Sequence, residues 1–266
     1  MQIHPRTAAT DPCYAEQERH YREGKLPVVT TSNRAMIWFL WLIAVLLVGC
    51  GATPPAPTAP PATTAPQLPT LNALPDTDGL YTSLPQSITS EGYHVLGAPD
   101  APVTLVMYSD FLCGACAYHV TELEPTLLAE FVQPGTVKLV YRHLAQLGES
   151  SLLTAEAVEC AADQQRFWEM RAALYANQIG LFSSGGRVRA FLEQIAATQG
   201  LDQAAFAACL DNQTHRAAVE ADFAAATAAG VRSRPVFDIQ GTGDPERLIG
   251  ALPLSQFRES LGNATP

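Results

Sequence analysis

The second half of the chain alternates between apolar runs typical of buried strands and apolar residues at helical spacing. A short run rich in β-branched residues, 103–108, predicts a buried strand. Apolar residues at helical spacing follow over 113–131, where Pro125 is expected to kink the helix. A second apolar run, 137–144, predicts another strand. Two strands joined by a helix within about 40 residues indicate a βαβ unit with a parallel strand pair.

A long block without strand patterns, 150–230, follows this unit. Its segments are rich in Ala, carry apolar residues at helical spacing and are separated by glycines. We expect Phe167, Leu174 and Ile179 to contribute to a helical core. The predicted helices lie at 151–162, 164–178, 187–198, 202–210 and 213–229.

Strand patterns return near the C-terminal end of the sequence, at 236–240 and 248–249, with the turn sequence GTGDP between them. A last helix is predicted over 254–261. The order of elements is therefore βαβ, a helical block and ββα, which predicts an α/β fold.

The first third of the chain has the pattern of an export signal. Arg34 precedes an uncharged apolar run, 36–52, in which the sequence LVGC occupies 47–50. This ending resembles the lipobox of bacterial lipoproteins, in which Cys50 would be lipidated and become the mature N-terminus. An uncleaved helical anchor is the alternative, because the run is at the lower edge of the length that spans a bilayer. We assign 34–50 to this signal or anchor.

Residues 1–33 precede the signal, although a signal normally begins close to the initiator Met. We therefore interpret them as a non-native or cytoplasmic extension. Translation is expected to start at or near Leu26, Val28 or Val29, through an alternative start codon.

Pro, Thr and Ala dominate the stretch after the signal, which we assign to a linker over 51–80. Such a composition has little apolar surface to bury and favours extended polyproline II, so it predicts a semi-rigid tether. The folded domain is assigned to 81–266, with the helical insertion at about 150–212.

Composition narrows the classes of function. Of the 266 residues, 47% are hydrophobic and 16% are charged, so a packed core is expected and global disorder is not. The net charge of −10 argues against a nucleic-acid partner and against a polybasic membrane surface. The P-loop, G-x-S-x-G, H-E-x-x-H and G-x-G-x-x-G motifs are absent, and we expect no cofactor.

The sequence CGAC at 113–116 lies where the first predicted strand passes into the first helix. The N-terminal end of a helix carries unpaired N–H groups and a partial positive charge, which favour a thiolate over a thiol. Thiolate is the species that attacks disulfides. A C-x-x-C motif between a strand and a helix of a βαβ unit therefore predicts redox chemistry.

At this point the chain resembles the DsbA-like branch of the thioredoxin superfamily, which consists of extracytoplasmic thiol–disulfide oxidoreductases. The resemblance covers about 93–262 and implies a thioredoxin fold, a central mixed β-sheet flanked by helices, with a helical insertion between the βαβ and ββα halves. The segments that carry it are VTLVMYSDFLCGAC (103–116), VKLVYRH (137–143), AEAVECAADQQRFWEM (155–170) and AGVRSRPVFDI (229–239).

The resemblance implies a role for each site residue. Cys113 would be the exposed nucleophile that forms the mixed disulfide, and Cys116 the resolving cysteine. Pro235 would be a cis-proline packed beside the cysteine pair, which leaves the backbone of Arg234 free to pair with an extended substrate segment. No metal site is expected in this class.

Two residues depart from the pattern of the family. Gly-Ala separates the two cysteines, where strongly oxidising members carry Pro-His, so no loop histidine stabilises the thiolate. Arg234 replaces the small or β-branched residue usual before the cis-proline. We expect its guanidinium to lower the pKa of Cys113, the alternative being an arginine that faces solvent.

Cys160 and Cys209 remain after the redox pair is assigned. We expect them to form a structural disulfide, because an export signal implies an oxidising compartment and some relatives carry a second disulfide in the helical block. Buried free thiols are the alternative.

Metal handling is the main alternative from another class of function. Cys113, Cys116 and His119 form C-x-x-C-x-x-H, and thiolates suit Cu(I) or Zn²⁺. A metal site with all its ligands from the protein needs a fourth ligand, and the sequence offers no second cluster of Cys and His. Whether His143 lies near the cysteine pair does not follow from the sequence. A non-catalytic thioredoxin-like adaptor is a third possibility.

The sequence therefore predicts a membrane-tethered thiol–disulfide oxidoreductase at the extracytoplasmic face of a bacterial cell membrane, acting as an oxidase. Its expected partners are thiol- or disulfide-containing extracytoplasmic proteins, a membrane redox partner that resets the cysteine pair, and the lipid bilayer. A reductase or isomerase would use the same chemistry, because the direction depends on reduction potential and on that redox partner.

Overall fold

The computed structural model describes residues 67–72, 79–241 and 243–264. The strands are β1 (Gln86–Ile88), β2 (His94–Leu96), β3 (Val103–Ser109), β4 (Val137–His143), β5 (Val236–Gln240) and β6 (Glu246–Ile249). The helices are α1 (Leu80–Ser83), α2 (Gly114–Tyr118), α3 (Glu124–Leu127), α4 (Glu149–Ala162), α5 (Phe167–Ala176), α6 (Gln178–Ser183), α7 (Val188–Thr198), α8 (Gln203–Asp211), α9 (Arg216–Ala228) and α10 (Leu254–Ala264).

The strands form one mixed sheet in the order β1-β2-β4-β3-β5-β6. β3 and β4 are parallel, with Val103 opposite Val137 at one end and Ser109 opposite His143 at the other. The other neighbouring strands are antiparallel. The structure therefore confirms the α/β fold and the parallel βαβ pair, and it shows that the last two strands are antiparallel to each other.

The central strand β3 is covered on both faces. Leu105 and Met107 pack into the larger hydrophobic core with the helical block and α10. Val106 and Tyr108 point the other way, into a smaller core that includes residues of α9. Successive side chains of a strand alternate between faces, so a strand buried on both sides has the continuous apolar run seen in the sequence.

The first long helix changes its hydrogen-bonding pattern along its length. α2 passes into a π-helical turn (His119–Leu123), then into α3, and a second π-helical turn (Leu128–Val132) ends the helix. Pro125 lies in the first turn of α3, a position at which helices tolerate proline. The change of pattern precedes Pro125, and the backbone N–H of Glu124 donates to the carbonyl of His119.

Helices α4 to α9 form the helical block between β4 and β5, as predicted. Phe167 and Leu174 are buried in the core. The prediction for Ile179 was wrong, because its side chain is 76% exposed. Asn177 has φ −109° and ψ 18°, which ends α5, so the helical period does not continue from Leu174 to Ile179. The short helix α6 that begins there buries Leu181 instead.

The segment 67–72 lies against the helical block, although its composition placed it in the linker. Leu68 and Leu71 pack against the larger core. The backbone N–H of Asn72 donates to Asn177 Oδ1 at 2.6 Å. The packed part of the chain therefore includes residues that the composition alone did not identify.

The predicted N-terminal extension, the signal or anchor with Cys50, and the linker up to residue 66 lie outside the described residues. Within the described ranges, the structure contains no helix that is both long and apolar enough to cross a bilayer.

Candidate active site

The cysteine pair lies at the N-terminal end of α2, directly after the turn that follows β3. Cys113 is the N-cap residue, with φ −89° and ψ 116°. Its sulfur accepts a hydrogen bond from the backbone N–H of Cys116 at 3.2 Å. The sulfur of Cys113 therefore takes the capping role of a Ser or Asp oxygen, in the place where helix N–H groups stabilise negative charge.

The two cysteines differ in their electrostatic environment. The hydrogen bond from the Cys116 thiol, the backbone N–H of Cys116 and the Arg234 charge together lower the pKa of Cys113 to about 6. Burial, with the neighbouring Cys113 sulfur, raises the pKa of Cys116. Both thiols are free in the structure, and both residues are buried. The prediction that Cys113 is exposed was therefore wrong: it is 8% exposed, because the Arg234 carbonyl lies against its sulfur. Cys113 is thus the sulfur that is a thiolate at neutral pH, and Cys116 the sulfur that holds its proton.

The peptide bond between Arg234 and Pro235 is cis, and it lies beside the cysteine pair. The carbonyl oxygen of Arg234 is 3.8 Å from Cys113 Sγ. The guanidinium of Arg234 donates to Gln146 Oε1 at 2.5 Å, so the side chain is held by the loop after β4. The structure therefore brings together all four residues that the sequence placed at the site, Cys113, Cys116, Arg234 and Pro235.

Asp110 organises the loops around the pair. This residue is 1% exposed, and one carboxylate oxygen accepts from the backbone N–H of Leu112 at 2.9 Å. The other accepts from the backbone N–H of Gln146 at 2.9 Å and from the Ser151 hydroxyl at 2.6 Å. The residue that holds Arg234 is thus itself fixed by the carboxylate that fixes the turn before Cys113.

Gln178 supports the same turn from the helical block. Its side-chain amide donates to the carbonyl of Phe111 at 2.7 Å and to the carbonyl of Cys113 at 3.0 Å. Sequence reasoning missed both Asp110 and Gln178. A signal existed for Asp110, a carboxylate directly after a buried strand and three residues before Cys113. None existed for Gln178, whose position depends on the break between α5 and α6.

His119 does not complete a metal site with the cysteine pair. Its ring packs between Phe237 and Phe257, with centroid distances of 4.4 and 5.2 Å, and burial lowers its pKa to about 4. His143 is engaged elsewhere, with Nε2 2.6 Å from Glu159 Oε1.

In the part of the chain that the structure describes, the potential ligand atoms that lie close enough together to hold a metal ion belong to Cys160, Cys209 and His215. The two sulfurs of that group are bonded to each other, at 1.98 Å. Among the described residues, neither Cys113 and Cys116 with His119 nor Cys160 and Cys209 with His215 is therefore arranged to hold a metal ion. The expected disulfide between Cys160 and Cys209 is present and joins α4 to α8.

The fold and the dithiol define a class of protein, the thioredoxin-like proteins. The family model described as Thioredoxin matches residues 89–247, and the chain belongs to that family. DsbA and BdbD proteins share the fold of this chain.

Two solved structures illustrate the likeness. Alpha-DsbA1 from Wolbachia pipientis superposes with a TM-score of 0.61 at 20% identity, over 66% of this chain and 92% of that one. Oxidised BdbD from Bacillus subtilis superposes with a TM-score of 0.57 at 21% identity, over 73% of this chain and 97% of that one. At these identities the likeness concerns the fold, and it confirms the thioredoxin fold with a helical insertion.

Curated relatives match part of the chain. Disulfide bond formation protein D of Bacillus subtilis is 32% identical over 90 residues, which are 33% of this chain and 40% of the relative. The Na(+)/H(+) antiporter NhaA of Herminiimonas arsenicoxydans is 36% identical over 148 residues, 56% of this chain. The match spans only 22% of that antiporter's length.

Proposed function

We propose that this protein is a thiol–disulfide oxidoreductase that exchanges disulfides with client proteins through Cys113 and Cys116, and that it acts as an oxidase. The observation that carries the proposal is the asymmetry of the pair, a thiolate-forming Cys113 at the helix N-cap and a buried, protonated Cys116. The name of the relative disulfide bond formation protein D agrees with this activity.

In the oxidising direction, a client thiolate attacks Cys113 Sγ of the Cys113–Cys116 disulfide. A bond forms between the client sulfur and Cys113, the bond to Cys116 breaks, and its electron pair moves to the Cys116 sulfur. A second client thiolate then attacks the first client sulfur and releases Cys113 as a thiolate. The client gains a disulfide and the protein keeps the electron pair as its reduced dithiol.

Stabilisation of the Cys113 thiolate supports the oxidising direction. Whatever stabilises the reduced form of a cysteine pair makes its disulfide a stronger oxidant. The capping N–H and the Arg234 charge both do so here, although the loop dipeptide is Gly-Ala. We expect a potential between those of thioredoxin and of the strongest oxidases, roughly −270 to −120 mV.

The proposal includes tethering at the extracytoplasmic face of a bacterial membrane, through lipidated Cys50 or an uncleaved helix. The lipobox-like sequence and the Pro-rich linker support it, and a disulfide between Cys160 and Cys209 is typical of oxidising compartments. Incorporation of labelled palmitate into the full chain, lost in Cys50→Ala, tests the lipid anchor. A membrane redox partner would restore the disulfide after each cycle.

Equilibration with glutathione buffers of known ratio measures the potential and tests the direction. A potential near −270 mV or below, with faster reduction of insulin than oxidation of a reduced dithiol peptide, would contradict the oxidase role and favour a reductase.

Trapping variants test the assignment of the two cysteines. Cys116→Ser should accumulate a mixed disulfide between Cys113 and a client, because the resolving sulfur is absent. Cys113→Ser should form none. Non-reducing gels followed by mass spectrometry of the linked peptides identify the sulfur involved, and a client attached through residue 116 would contradict the assignment.

A further inference from the structure

The disulfide between Cys160 and Cys209 lies beside an imidazole and a carboxylate. A ring nitrogen of His215 lies within 4.8 Å of both sulfurs. His215 Nε2 is 2.8 Å from Asp163 Oδ2, and the same carboxylate oxygen is 3.7 Å from Cys209 Sγ. While the two sulfurs are bonded to each other they cannot bind a metal ion, because the thiolate is the form that does so. Any metal chemistry of this group therefore belongs to its reduced form.

Three helix ends hold these side chains in place. Cys160 lies near the C-terminal end of α4, and Asp163 is the residue that caps that end. Cys209 lies in the last turn of α8, and His215 directly precedes the first residue of α9. The group therefore forms where three separate helices end or begin.

The turn between α8 and α9 brings the chain back to Cys209. Gln213 has φ 49°, and its backbone N–H donates to the carbonyl of Leu210 at 3.1 Å. The backbone N–H of Thr214 donates to the carbonyl of Cys209, also at 3.1 Å. These two bonds form the Schellman motif, which commonly ends a helix. They fix His215 near Cys209 through backbone contacts that reduction of the disulfide does not break.

The separation of the two cysteines suits a zinc ion. Zn²⁺ binds thiolates at about 2.3 Å in tetrahedral geometry, so two thiolates on one ion lie about 3.8 Å apart. The Cα atoms of Cys160 and Cys209 are 5.9 Å apart. Rotation of the two side chains is therefore enough to bring the freed sulfurs to this separation, with α4 and α8 kept in place.

The group is open to solvent on one side. Cys160 is buried and Cys209 is half-buried, whereas the side chains of His215 and Asp163 are 21% and 52% exposed. An ion can enter from this side, and a water molecule can take the fourth position, as in zinc sites with three protein ligands. The contact with Asp163 orients the imidazole, as carboxylates do for many metal-bound histidines.

We propose that reduction of the Cys160–Cys209 disulfide creates a Zn²⁺ site in which Cys160, Cys209 and His215 are the ligands and Asp163 positions the imidazole. A dithiol reductant attacks Cys209 Sγ, the more accessible sulfur, and the electron pair of the disulfide bond moves to Cys160 Sγ. The second thiol of the reductant then displaces Cys209. The reductant becomes a disulfide, and the two cysteines gain two electrons and two protons.

Binding of Zn²⁺ displaces the two thiol protons, so the ion stabilises the reduced form. Return of both electrons to an oxidised dithiol closes the Cys160–Cys209 disulfide and releases the ion. The site goes beyond the exchange activity proposed for Cys113 and Cys116, and it requires neither that activity nor a particular direction of it.

Metal titration of the full chain tests the proposal. The protein is reduced with dithiothreitol, separated from it in the absence of oxygen, and titrated with Co²⁺. We expect one Co²⁺ to bind with the absorption bands of a tetrahedral ion on two thiolates, and Zn²⁺ to displace it. The oxidised protein should show no such bands. Cys113→Ser/Cys116→Ser should bind Co²⁺ as the wild type does, because the redox pair is not part of the site.

Alkylation of the reduced chain with and without Zn²⁺ identifies the ligands. Mass spectrometry of the peptides should show that the ion protects Cys160 and Cys209 from iodoacetamide, and that His215→Ala removes this protection. Asp163→Asn should lower the affinity for the ion about tenfold and keep the Co²⁺ bands, because Asp163 is not itself a ligand. Asp211→Asn is the matched control, since it removes an exposed carboxylate of α8 that pairs with Arg189.

Three results would overturn the proposal. The first is a reduced wild type that shows no thiolate–Co²⁺ bands, and the second is a Zn²⁺ ion that protects only Cys113 and Cys116. The third is equal affinity in His215→Ala and Asp211→Asn. If the reduced chain is unfolded without metal, Zn²⁺ should restore the circular dichroism of the wild type and not that of His215→Ala, and equal spectra of the two would also overturn it.

Discussion

At the scale of single residues, the reactivity of Cys113 depends on groups that are distant in sequence. The backbone N–H of Cys116 and the thiol of the same residue come from α2, whereas the charge of Arg234 comes from the segment before β5. The guanidinium of Arg234 donates a hydrogen bond to Gln146 Oε1, and the backbone N–H of Gln146 donates one to the Asp110 carboxylate. The thiolate is therefore stabilised by a local helix terminus and by a positioned cation.

The pH dependence of alkylation tests this account. Because the pKa of Cys113 is about 6, the rate of reaction with iodoacetamide should rise through an inflection near pH 6 and level off above it. An inflection at about pH 8.5, the pKa of an ordinary thiol, would contradict the stabilisation of the Cys113 thiolate.

Arg234→Ala should move that inflection upward by about half a unit, because one partly solvated positive charge is lost beside the thiolate. Thiolate absorbance near 240 nm, followed against pH, measures the shift. Arg232→Ala is the matched control, since it removes an arginine two positions away that donates to the backbone carbonyl of Val231. If the two variants gave the same absorbance curve against pH, Arg234 would not lower the pKa of Cys113.

At the scale of elements, the helix that carries the pair is anchored by a buried ion pair. Glu124 of α3 accepts two hydrogen bonds from Arg171 of α5 and one from the hydroxyl of Tyr81 of α1, at 2.7 Å each. The pair is almost fully buried. Such a pair joins the active-site helix to the helical block, although its net contribution to stability is small while both partners are present.

Glu124→Gln should lower the free energy of unfolding by about 3–5 kcal/mol, because it leaves the buried guanidinium of Arg171 without a counter-charge. Urea unfolding followed by tryptophan fluorescence measures the change. Glu130→Gln is the control, since it breaks an exposed pair with Arg258 and should have no measurable effect. Comparable losses in the two variants would mean that burial does not matter at this pair.

His119, in the first π-helical turn, makes stability depend on pH. Burial lowers its pKa to about 4, against about 6.5 in an unfolded chain. Between these values the unfolded chain binds the proton and the folded protein does not, so stability falls as the pH drops from about 6.5 to about 4. The loss amounts to about 3 kcal/mol and is complete below about pH 4.

His119→Phe should remove this part of the pH dependence, which chemical unfolding at several pH values between about 4 and 7 detects as a flatter curve. The variant need not be as stable as the wild type, because the test concerns the slope. An unchanged slope would place the titrating group elsewhere.

The elements show what the sequence could and could not predict. Strands β3 and β4 carry long apolar runs and β5 carries shorter apolar segments, and each of the three was predicted to within a residue or two. Strands β1 and β2 are three residues long and were missed, because so short a segment has no period to detect. CGAC was predicted from its local pattern, and the cis-proline from the resemblance to a family. Gln178 was not predicted, since its position depends on how separate elements pack.

At the scale of the whole molecule, the disulfide between Cys160 and Cys209 closes a loop with a sequence separation of 49. A cross-link of this length restricts the unfolded chain and is expected to stabilise the fold by about 4 kcal/mol. It joins two helices of the insertion, whereas Cys113 and Cys116 lie at the N-terminal end of α2. The two pairs of cysteines are therefore expected to act independently.

The double variant Cys160→Ala/Cys209→Ala should lower the free energy of unfolding by about 4 kcal/mol and leave the alkylation rate of Cys113 unchanged. Denaturant unfolding and alkylation kinetics measure the two effects. The wild type unfolded under a reducing agent serves as the control, because it should match the variant under the same conditions. A change in Cys113 reactivity would show that the two pairs are coupled.

The burial of Cys113 affects the stage of folding at which a client protein can react with it. The residue is only 8% exposed, with the Arg234 carbonyl on one side and α2 on the other. If the protein exchanges disulfides as proposed, a client needs a flexible segment of chain to bring its own sulfur into line with Cys113. A cysteine packed in the interior of a folded client would not reach Cys113. Oxidation would thus compete with the folding of the client, and slowly folding chains would be served first.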